Sequence, residues 1–376
     1  MIDGKRILRE VKLLRFLKHK NISHIIDLMR PAPIPGQSRI QFDDVYIVLD
    51  RMDTDLNRVI YSDQLLSDLH IQFLMFQLLS AVHYCETANV IHRDLKPSNI
   101  LVNAKCELRV CDFGLARGMQ ASSDELTTYV VTRWYRAPEL ILACYNYSSA
   151  IDMWSVGCIF AELLSRKPIF AGEDFLHQLK LICEVIGSPS HEDLAFMNEG
   201  SANRYLRDME FMPRKEWRDV PGLKDAPEKA LDLLNSMLTF SPRKRISALN
   251  ALKHPYLATY HKQPIKSAPV QFDIEAIERM NLTRKQLREA IMEEIRFFRG
   301  DCYDEQRQQS AASASSTPAK KTRGKEESAS STGSKYTRHK EESASSVTSA
   351  KYSRPKEESA SSVTSAPSDT TALIES

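Results

Sequence analysis

The chain has 376 residues, of which 27% are charged and 42% are hydrophobic, and its formal net charge is +2. This near-neutral balance provides no overall field to attract nucleic acid or an anionic membrane, so the composition argues against both partners and against membrane insertion. The seven cysteines include no Cys-x-x-Cys pair, which argues against a disulfide or zinc framework and favours a reduced, intracellular protein.

The first predicted element is a helix over residues 4–18, because apolar residues recur there on one helical face, and Asp3 is a candidate for its N-cap. Strands are predicted over residues 22–28 and 45–49, separated by a proline-containing loop. Residues 67–88 are apolar nearly all round, which indicates a buried helix.

Polar residues suited to chemistry follow this helix. The loop between apolar residues 90–91 and 100–102, which we interpret as short buried strands, holds an acid, a cation and an amide, namely Asp94, Lys96 and Asn99. A second acid, Asp112, ends a further apolar run and precedes Phe113 and Gly114, where glycine permits a sharp turn. Two acids and an amide that converge on a cleft are suited to holding a divalent metal over phosphate oxygens.

The ordered set His-Arg-Asp, Lys, Asn and Asp-Phe-Gly resembles the catalytic and metal loops of protein kinases. Asp-Phe-Gly alone is weak evidence, whereas the ordered set is a compound signature. The resemblance implies an α+β, bilobal kinase fold with a mainly helical C-lobe, and it implies ATP and Mg²⁺ as cofactors. It assigns Asp94 to orient and deprotonate the substrate hydroxyl and Lys96 to neutralise charge on the transferred group. Asn99 and Asp112 are assigned to hold Mg²⁺.

By the same resemblance, the segment after the second predicted strand is the hinge that contacts the nucleotide. Leu49 stands at the gatekeeper position, Met52 offers its backbone to adenine, and Asp55 lies near the ribose. Helix capping explains Asp53 and Asp55 equally well. The full set of implied nucleotide-binding residues is Leu49, Asp50, Met52, Asp55, Ser98 and Leu101.

Thr127 and Tyr129 match the Thr-x-Tyr dual-phosphorylation site of mitogen-activated protein kinases, although as a pair alone they also fit plain loop residues. Two phosphates there would order the loop through charge-assisted contacts with arginines. The sequence that follows, residues 130–139, resembles the pocket that gives proline-directed kinases their Ser/Thr-Pro specificity. The implied regulatory and phosphate-binding residues are Arg6, Arg9, Glu10, Arg93, Arg117, Arg133 and Arg136.

Further landmarks of the family follow in the predicted C-lobe. Asp152 stands at the start of a core helix whose apolar run, residues 153–164, is too short to span a membrane. Glu139 and Arg245 are implied to form a buried structural ion pair. Residues 284–299 are predicted to form a last amphipathic helix, which by the resemblance packs back across the N-lobe.

The sequence departs from the family at two places. Glu10 matches the helix glutamate that pairs with the ATP-binding lysine, yet the chain begins only nine residues before it, and the Gly-rich loop and lysine strand precede this helix in the family. Either Met1 is an internal methionine of a longer protein, or the product is a truncated kinase with an incomplete N-lobe sheet and at most trace activity. The second departure is residues 258–266, which contain no acid where the family presents an acidic docking patch, so standard docking of basic partner peptides is in doubt.

We therefore predict a partial kinase N-lobe over residues 1–52, a C-lobe over 53–300, and a disordered, repetitive Ser/Lys/Glu-rich tail over 301–376. The predicted function is that of a mitogen-activated protein kinase acting on Ser/Thr-Pro sites of protein substrates. Its expected partners are an upstream dual-specificity kinase and phosphatases, and its expected location is the cytoplasm, with the nucleus as an alternative. Two alternative functions stay open: a catalytically impaired binding or scaffold module, and a cyclin-dependent-like kinase of the same group.

Overall fold

The computed structural model describes residues 2–31, 42–118, 133–142, 148–194 and 201–299. The predicted phosphorylation sites Thr127 and Tyr129 and the predicted tail over residues 301–376 lie outside the described residues. The domain boundaries after residues 52 and 300 stay predictions.

Helix α1 (Ile2–Phe16) forms because its apolar residues share one face, on which Leu8, Val11 and Leu14 are almost completely buried. The helix begins at Ile2, so the prediction that Asp3 is its N-cap is wrong. Asp3 instead lies in the first turn, where a carboxylate interacts favourably with the helix dipole.

Strands β1 (Ile25–Met29) and β2 (Tyr46–Leu49) pair in antiparallel fashion and form a two-stranded sheet within the described residues. The first strand starts three residues later than predicted, because Ile22 forms an isolated parallel bridge with Val110 instead. The last helix, α11 (Arg284–Arg299), packs against α1 and β1, as the sequence predicted.

Strands β3 (Thr54–Asp55), β4 (Ile100–Val102) and β5 (Leu108–Val110) form a second, antiparallel sheet in the order β3-β4-β5. This confirms the predicted strand at residues 100–102. The predicted strand at residues 90–91 is wrong, because Ile91 makes only one isolated bridge, with Arg117. A single bridge fixes the start of the catalytic loop without extending into a ladder.

The remaining described part of the chain is mainly helical. Helix α2 (Leu56–Ile60) is followed by the buried helix α3 (Asp68–Thr87), whose N-cap Ser67 and residue His70 form a reciprocal capping box. The central helix α5 (Ala150–Ser165) is buried over nearly its whole length and packs against α3. The other helices are α4 (Pro138–Ile141), α6 (Phe175–Ile186), α7 (Ser201–Asp208), α8 (Glu228–Met237), α9 (Ala248–Leu252) and α10 (Ile274–Glu278).

Gly157 allows α5 to approach the end of α8 closely. A Cβ atom at this position would lie only 2.8 Å from Leu238 Cδ2. None of the described helices is long and apolar enough to cross a membrane.

Candidate active site

The two polar loops of the site are joined at the start of β4. The Cys111 N–H donates to the carbonyl oxygen of Asn99 at 3.0 Å, which ties the segment before Asp112 to the loop that carries Asp94. Asn99 ends a short 3₁₀ turn (Pro97–Asn99) that leads directly into β4. The sheet therefore brings both predicted acidic loops to one edge.

Asp94 is buried and is held by two neighbours in its own loop. Lys96 Nζ lies 3.0 Å from Asp94 Oδ2, and Asn99 Nδ2 donates to the same oxygen at 3.0 Å. Asn99 Nδ2 also donates to the Asp94 carbonyl oxygen at 2.8 Å, which closes the loop on itself. Within the described part of the chain, Asp94 Oδ1 accepts no hydrogen bond, so it stays available to a substrate hydroxyl.

The backbone of this loop is anchored by Asp152 at the start of α5. Asp152 accepts the N–H of His92 at 2.7 Å and the N–H of Arg93 at 2.9 Å. Burial raises the pKa of Asp152, and these two hydrogen bonds oppose that rise. Arg93 adopts a left-handed conformation with φ 70°, so the anchoring holds a strained turn directly before Asp94.

His92 connects the catalytic loop to the Asp-Phe-Gly segment. Its Nε2 lies 3.0 Å from the Cys111 carbonyl oxygen, and its ring meets Phe113 edge-on with centroids 4.7 Å apart. Both side chains are buried, so His92 serves as packing between the two loops.

Asp112 and Asn99 are the residues on which Mg²⁺ was predicted. Asp112 has a left-handed backbone with φ 62°, and among the described residues its Oδ1 accepts only a long contact of 3.4 Å from the Gly114 N–H. The Asn99 amide nitrogen is used by Asp94, and its Oδ1 accepts no hydrogen bond from the described residues. Carboxylate and amide oxygens suit Mg²⁺, which takes one or two protein ligands and completes its shell with phosphates and water. The two side chains therefore fit the ion.

Glu10 on α1 is half-buried beside this site. Among the described residues, its carboxylate has neither an ion pair nor a hydrogen bond. Burial, followed by the negative charge of Asp112, raises the pKa of Glu10 to about 7. By the family resemblance Glu10 would pair with a lysine, but no described residue places a cation beside it.

The neighbouring Arg9 pairs with Glu278, a residue that the sequence did not predict to take part in the site. Arg9 is almost completely buried, its Nε donates to Glu278 Oε1 at 2.6 Å, and its Nη1 donates to the Gly114 carbonyl oxygen. Arg117 approaches the same Glu278 oxygen at 3.7 Å. Burial raises the pKa of Glu278, but the hydrogen bond and charge of Arg9 outweigh it and leave the pKa lowered. Nothing in the local sequence of α10 signals this long-range contact.

The remaining predicted phosphate-binding arginines divide into separate groups. Arg6 is half-buried on α1, and its Nη1 lies 3.6 Å from Asp3 Oδ1. Arg133 and Arg136 both lie over the Phe175 ring, at 5.6 and 5.8 Å from its centroid. The structure therefore brings Arg9 and Arg117 together at Glu278, and Arg133 and Arg136 together at Phe175.

A small surface pocket lies beside the catalytic loop. Burial lowers the pKa of Arg136 in its wall, and the negative charge of Asp94 opposes this. Asp94 thus borders this surface pocket. Its lining residues are Arg93, Asp94, Leu95, Tyr135, Arg136, Leu140, Ile151 and Ser155.

The predicted hinge residues follow β2. The Asp50 carboxylate is taken by Arg109, and the Asp55 carboxylate accepts the Arg58 N–H at 2.9 Å as the N-cap of α2. Both acids thus have structural partners, and the capping interpretation of Asp55 is confirmed. Leu49, Met52 and Leu101 are half-buried and Ser98 is exposed. Their nucleotide contacts stay predictions.

Glu139 and Arg245 form the predicted buried ion pair. Arg245 Nη1 donates to Glu139 Oε1 at 2.7 Å and Nη2 donates to Oε2 at 3.1 Å, with the side chains 0% and 1% exposed. Arg245 also donates to the carbonyl oxygens of Thr239, Phe240 and Ala150, so its other N–H groups are satisfied.

Comparison with known proteins supports the interpretation of these loops. The family described as "Protein kinase domain" matches residues 1–257. Mitogen-activated protein kinase 6 of Arabidopsis thaliana is 49% identical over 300 residues, which cover 79% of this chain and 73% of the relative. Mitogen-activated protein kinase 5 of Oryza sativa subsp. indica is 51% identical over 278 residues, which cover 73% of each chain. The chain belongs to the mitogen-activated protein kinases.

A third relative has a similar degree of identity. Mitogen-activated protein kinase 6 of Oryza sativa subsp. japonica is 47% identical over 303 residues, covering 80% of this chain and 78% of the relative. This kinase is therefore a Ser/Thr protein kinase by family, and the bilobal fold implied by its sequence is confirmed. The comparisons support mitogen-activated relatives over the cyclin-dependent alternative.

Proposed function

We propose that this mitogen-activated protein kinase transfers the γ-phosphoryl group of ATP to Ser or Thr hydroxyls followed by proline in protein substrates. The proposal rests on the geometry of Asp94. Lys96 and Asn99 fix its Oδ2, while its Oδ1 accepts no hydrogen bond from the described residues and Asp94 lines the pocket.

In this mechanism Asp94 accepts the hydrogen bond of the substrate hydroxyl and then its proton. Lys96, beside Asp94, places a positive charge next to the group that is transferred. Asn99 and Asp112 would hold Mg²⁺, which when bound neutralises charge on the phosphate oxygens. Asp152 acts through the backbone of His92 and Arg93, because its two hydrogen bonds fix where Asp94 points.

We also propose regulation by an upstream dual-specificity kinase that modifies Thr127 and Tyr129, and by phosphatases that reverse it. The grouping of Arg133 and Arg136 at Phe175 supports this proposal, since phosphates order loops through such side chains. We place the kinase in the cytoplasm, with the nucleus as the alternative, which fluorescence microscopy of the tagged chain will decide.

A second candidate function is a binding or scaffold module with impaired catalysis. The observation that favours it is Glu10, which has no cation in the described part of the chain and a pKa of about 7. Positioning and charge stabilisation supply nearly all of phosphoryl-transfer catalysis, so an unpaired Glu10 weakens nucleotide positioning.

A kinase assay separates the two candidates. Purified chain is incubated with Mg-ATP and a Ser-Pro peptide, beside the same peptide with alanine in place of proline. We expect phosphorylation of the Ser-Pro peptide only, with Asp94→Asn lowering the rate by at least about a hundredfold. Asp225→Asn, a change of an exposed aspartate outside the site, is the matched control and is expected to leave the rate unchanged. A rate equal to that of Asp94→Asn, together with retained substrate binding, would support the binding module.

A further inference from the structure

Five lysines of the described chain lie on neighbouring segments outside the active site. Lys18 and Lys20 follow α1, Lys253 follows α9, and Lys262 and Lys266 lie in the segment after the 3₁₀ turn Pro255–Tyr260. All five side chains belong to exposed residues. Within the described residues, none of them forms an ion pair with a carboxylate. We refer to these five residues as the basic surface.

Direct contacts join the segments that carry these lysines. Lys266 Nζ donates to the Lys18 carbonyl oxygen at 2.8 Å and lies 5.7 Å from the centroid of the Tyr84 ring. His19, between Lys18 and Lys20, stacks on the same ring with centroids 4.9 Å apart. The segment after α1 and the segment after the 3₁₀ turn Pro255–Tyr260 therefore lie side by side at Tyr84 of α3.

The charges of these lysines act on the histidines beneath them. Burial, then the positive charges of Lys266 and Lys20, lower the pKa of His19 to about 4. Burial also lowers the pKa of His83, and Lys253 contributes to that change while Glu86 opposes it. The charges of Lys20, Lys253 and Lys266 therefore act on two neighbouring, buried histidines.

The acids nearest this region already have partners. Asp68 accepts from Tyr256 Oη at 2.7 Å, Glu86 accepts from Ser149 Oγ at 2.7 Å, and Asp232 faces His254 at 3.1 Å. They lower the total positive charge of this face, but none of them lies within 4.0 Å of a lysine of the basic surface among the described residues.

A group of apolar side chains on and beside α3 borders the basic surface. Tyr260 stacks against Phe73 and Phe76, with centroids 5.7 and 5.0 Å apart. Leu69, one helical turn before Phe73 and therefore on the same face, is 63% exposed. Exposed apolar area beside a charged patch is typical of a surface that binds another protein.

We infer that the basic surface is a docking site for an acidic segment of a partner protein, with an apolar side chain of that segment seated at Leu69 and Tyr260. Charge complementarity selects the sign of the partner and repels basic peptides. The composition favours protein over nucleic acid, because all five cations are lysines and arginine is the usual residue for phosphate recognition. The aromatic rings also stack on one another, whereas single-stranded nucleic acid needs open ring faces.

The test uses peptide display and a charge-reversed variant. A random peptide library on phage is selected against the full chain, and the most enriched peptide is labelled for fluorescence anisotropy. We expect enriched peptides to be net acidic and to contain an apolar residue, with affinity falling as salt is raised. The variant Lys20→Glu, Lys253→Glu, Lys262→Glu is expected to weaken binding at least about tenfold. Lys18 and Lys266 are kept because their mutual contact holds the two segments together.

The matched control is Lys167→Glu, Lys215→Glu, Lys224→Glu, which changes the net charge equally at exposed positions outside the basic surface. It is expected to keep the affinity and the melting temperature of the parent chain. The inference is overturned if enriched peptides are basic or neutral, if both variants lose affinity equally, or if neither does. It is also overturned if a single-stranded oligonucleotide binds more tightly than the peptide, because the surface would then recognise nucleic acid.

Discussion

Replacing Glu10 by glutamine is expected to stabilise the folded chain at neutral and alkaline pH. Glu10 is half-buried and has no cation or hydrogen-bond donor among the described residues, and its pKa is raised from 4.5 to about 7, first by burial and then by Asp112. A carboxyl whose pKa is raised by folding binds its proton more tightly in the folded state. Glu10 therefore does not reduce the free energy of unfolding below pH 4.5. Its contribution to stability is lost as the pH rises from 4.5 through 7.

The magnitude follows from the same linkage. Each pKa unit corresponds to about 1.4 kcal/mol, so the change at Glu10 corresponds to roughly 3 kcal/mol above pH 7. Glutamine has nearly the same shape and no charge to ionise, so it avoids this cost. For a domain of this size, the difference corresponds to a rise of roughly 5 °C in melting temperature.

The assay is the apparent melting temperature of both proteins, measured by scanning fluorimetry between pH 4.5 and pH 8. We expect the curves to coincide at the acidic end and to separate as the pH rises, with Glu10→Gln the more stable. Glu293→Gln, at an exposed position of α11, is the control and is expected to show no such separation. Equal stability of Glu10→Gln and the parent chain at pH 8 would refute the claim that the carboxylate is unpaired.

Two further changes test other buried charges. Glu139→Ala leaves the fully buried Arg245 uncompensated and is expected to cost about 3–5 kcal/mol, seen as a lower midpoint in urea unfolding; a cost below about 1 kcal/mol would contradict a buried pair. Glu278→Gln removes the charge that faces Arg9 and is expected to cost about 2 kcal/mol at pH 7. Because folding lowers the pKa of Glu278, this cost is expected to vanish as the pH falls below 4.5. If the variant and the parent chain differ in unfolding free energy by the same amount at all pH values, the ion pair with Arg9 is not the cause.

Elements with a strong local signal were predictable from the sequence. The buried helix α3 and the amphipathic helix α11 lie within one or two residues of their predicted ranges, because long apolar periodicity fixes a helix almost independently of its neighbours. The strand predicted at residues 90–91 failed for the opposite reason. A strand exists only through its partner, and the partner of Ile91 is one residue of a distant segment.

The catalytic loop was also predictable in part, since Asp94 and Asn99 act within one short segment and their spacing sets their contact. The resemblance placed Asp152 only at the start of a core helix, and its anchoring of the loop through two hydrogen bonds follows from the fold. Glu278 could not be predicted, because it meets Arg9 across 269 positions of the chain and α10 carries no pattern that distinguishes it from a solvated acid. Long-range ion pairs depend on packing that no local periodicity encodes.

Arg9 and Glu10 are adjacent on α1, yet their environments are opposite. Arg9 is buried and satisfied by Glu278 and the Gly114 carbonyl oxygen, whereas Glu10 faces Asp112 without a cation among the described residues. The contacts of Arg9 that hold this helix therefore come from α10 and from the segment after Asp112. A cation delivered to Glu10 would satisfy the second residue and lower its pKa, so its ionisation would no longer oppose folding. The difference in pH-dependent stability between the parent chain and Glu10→Gln therefore reports whether a cation faces Glu10.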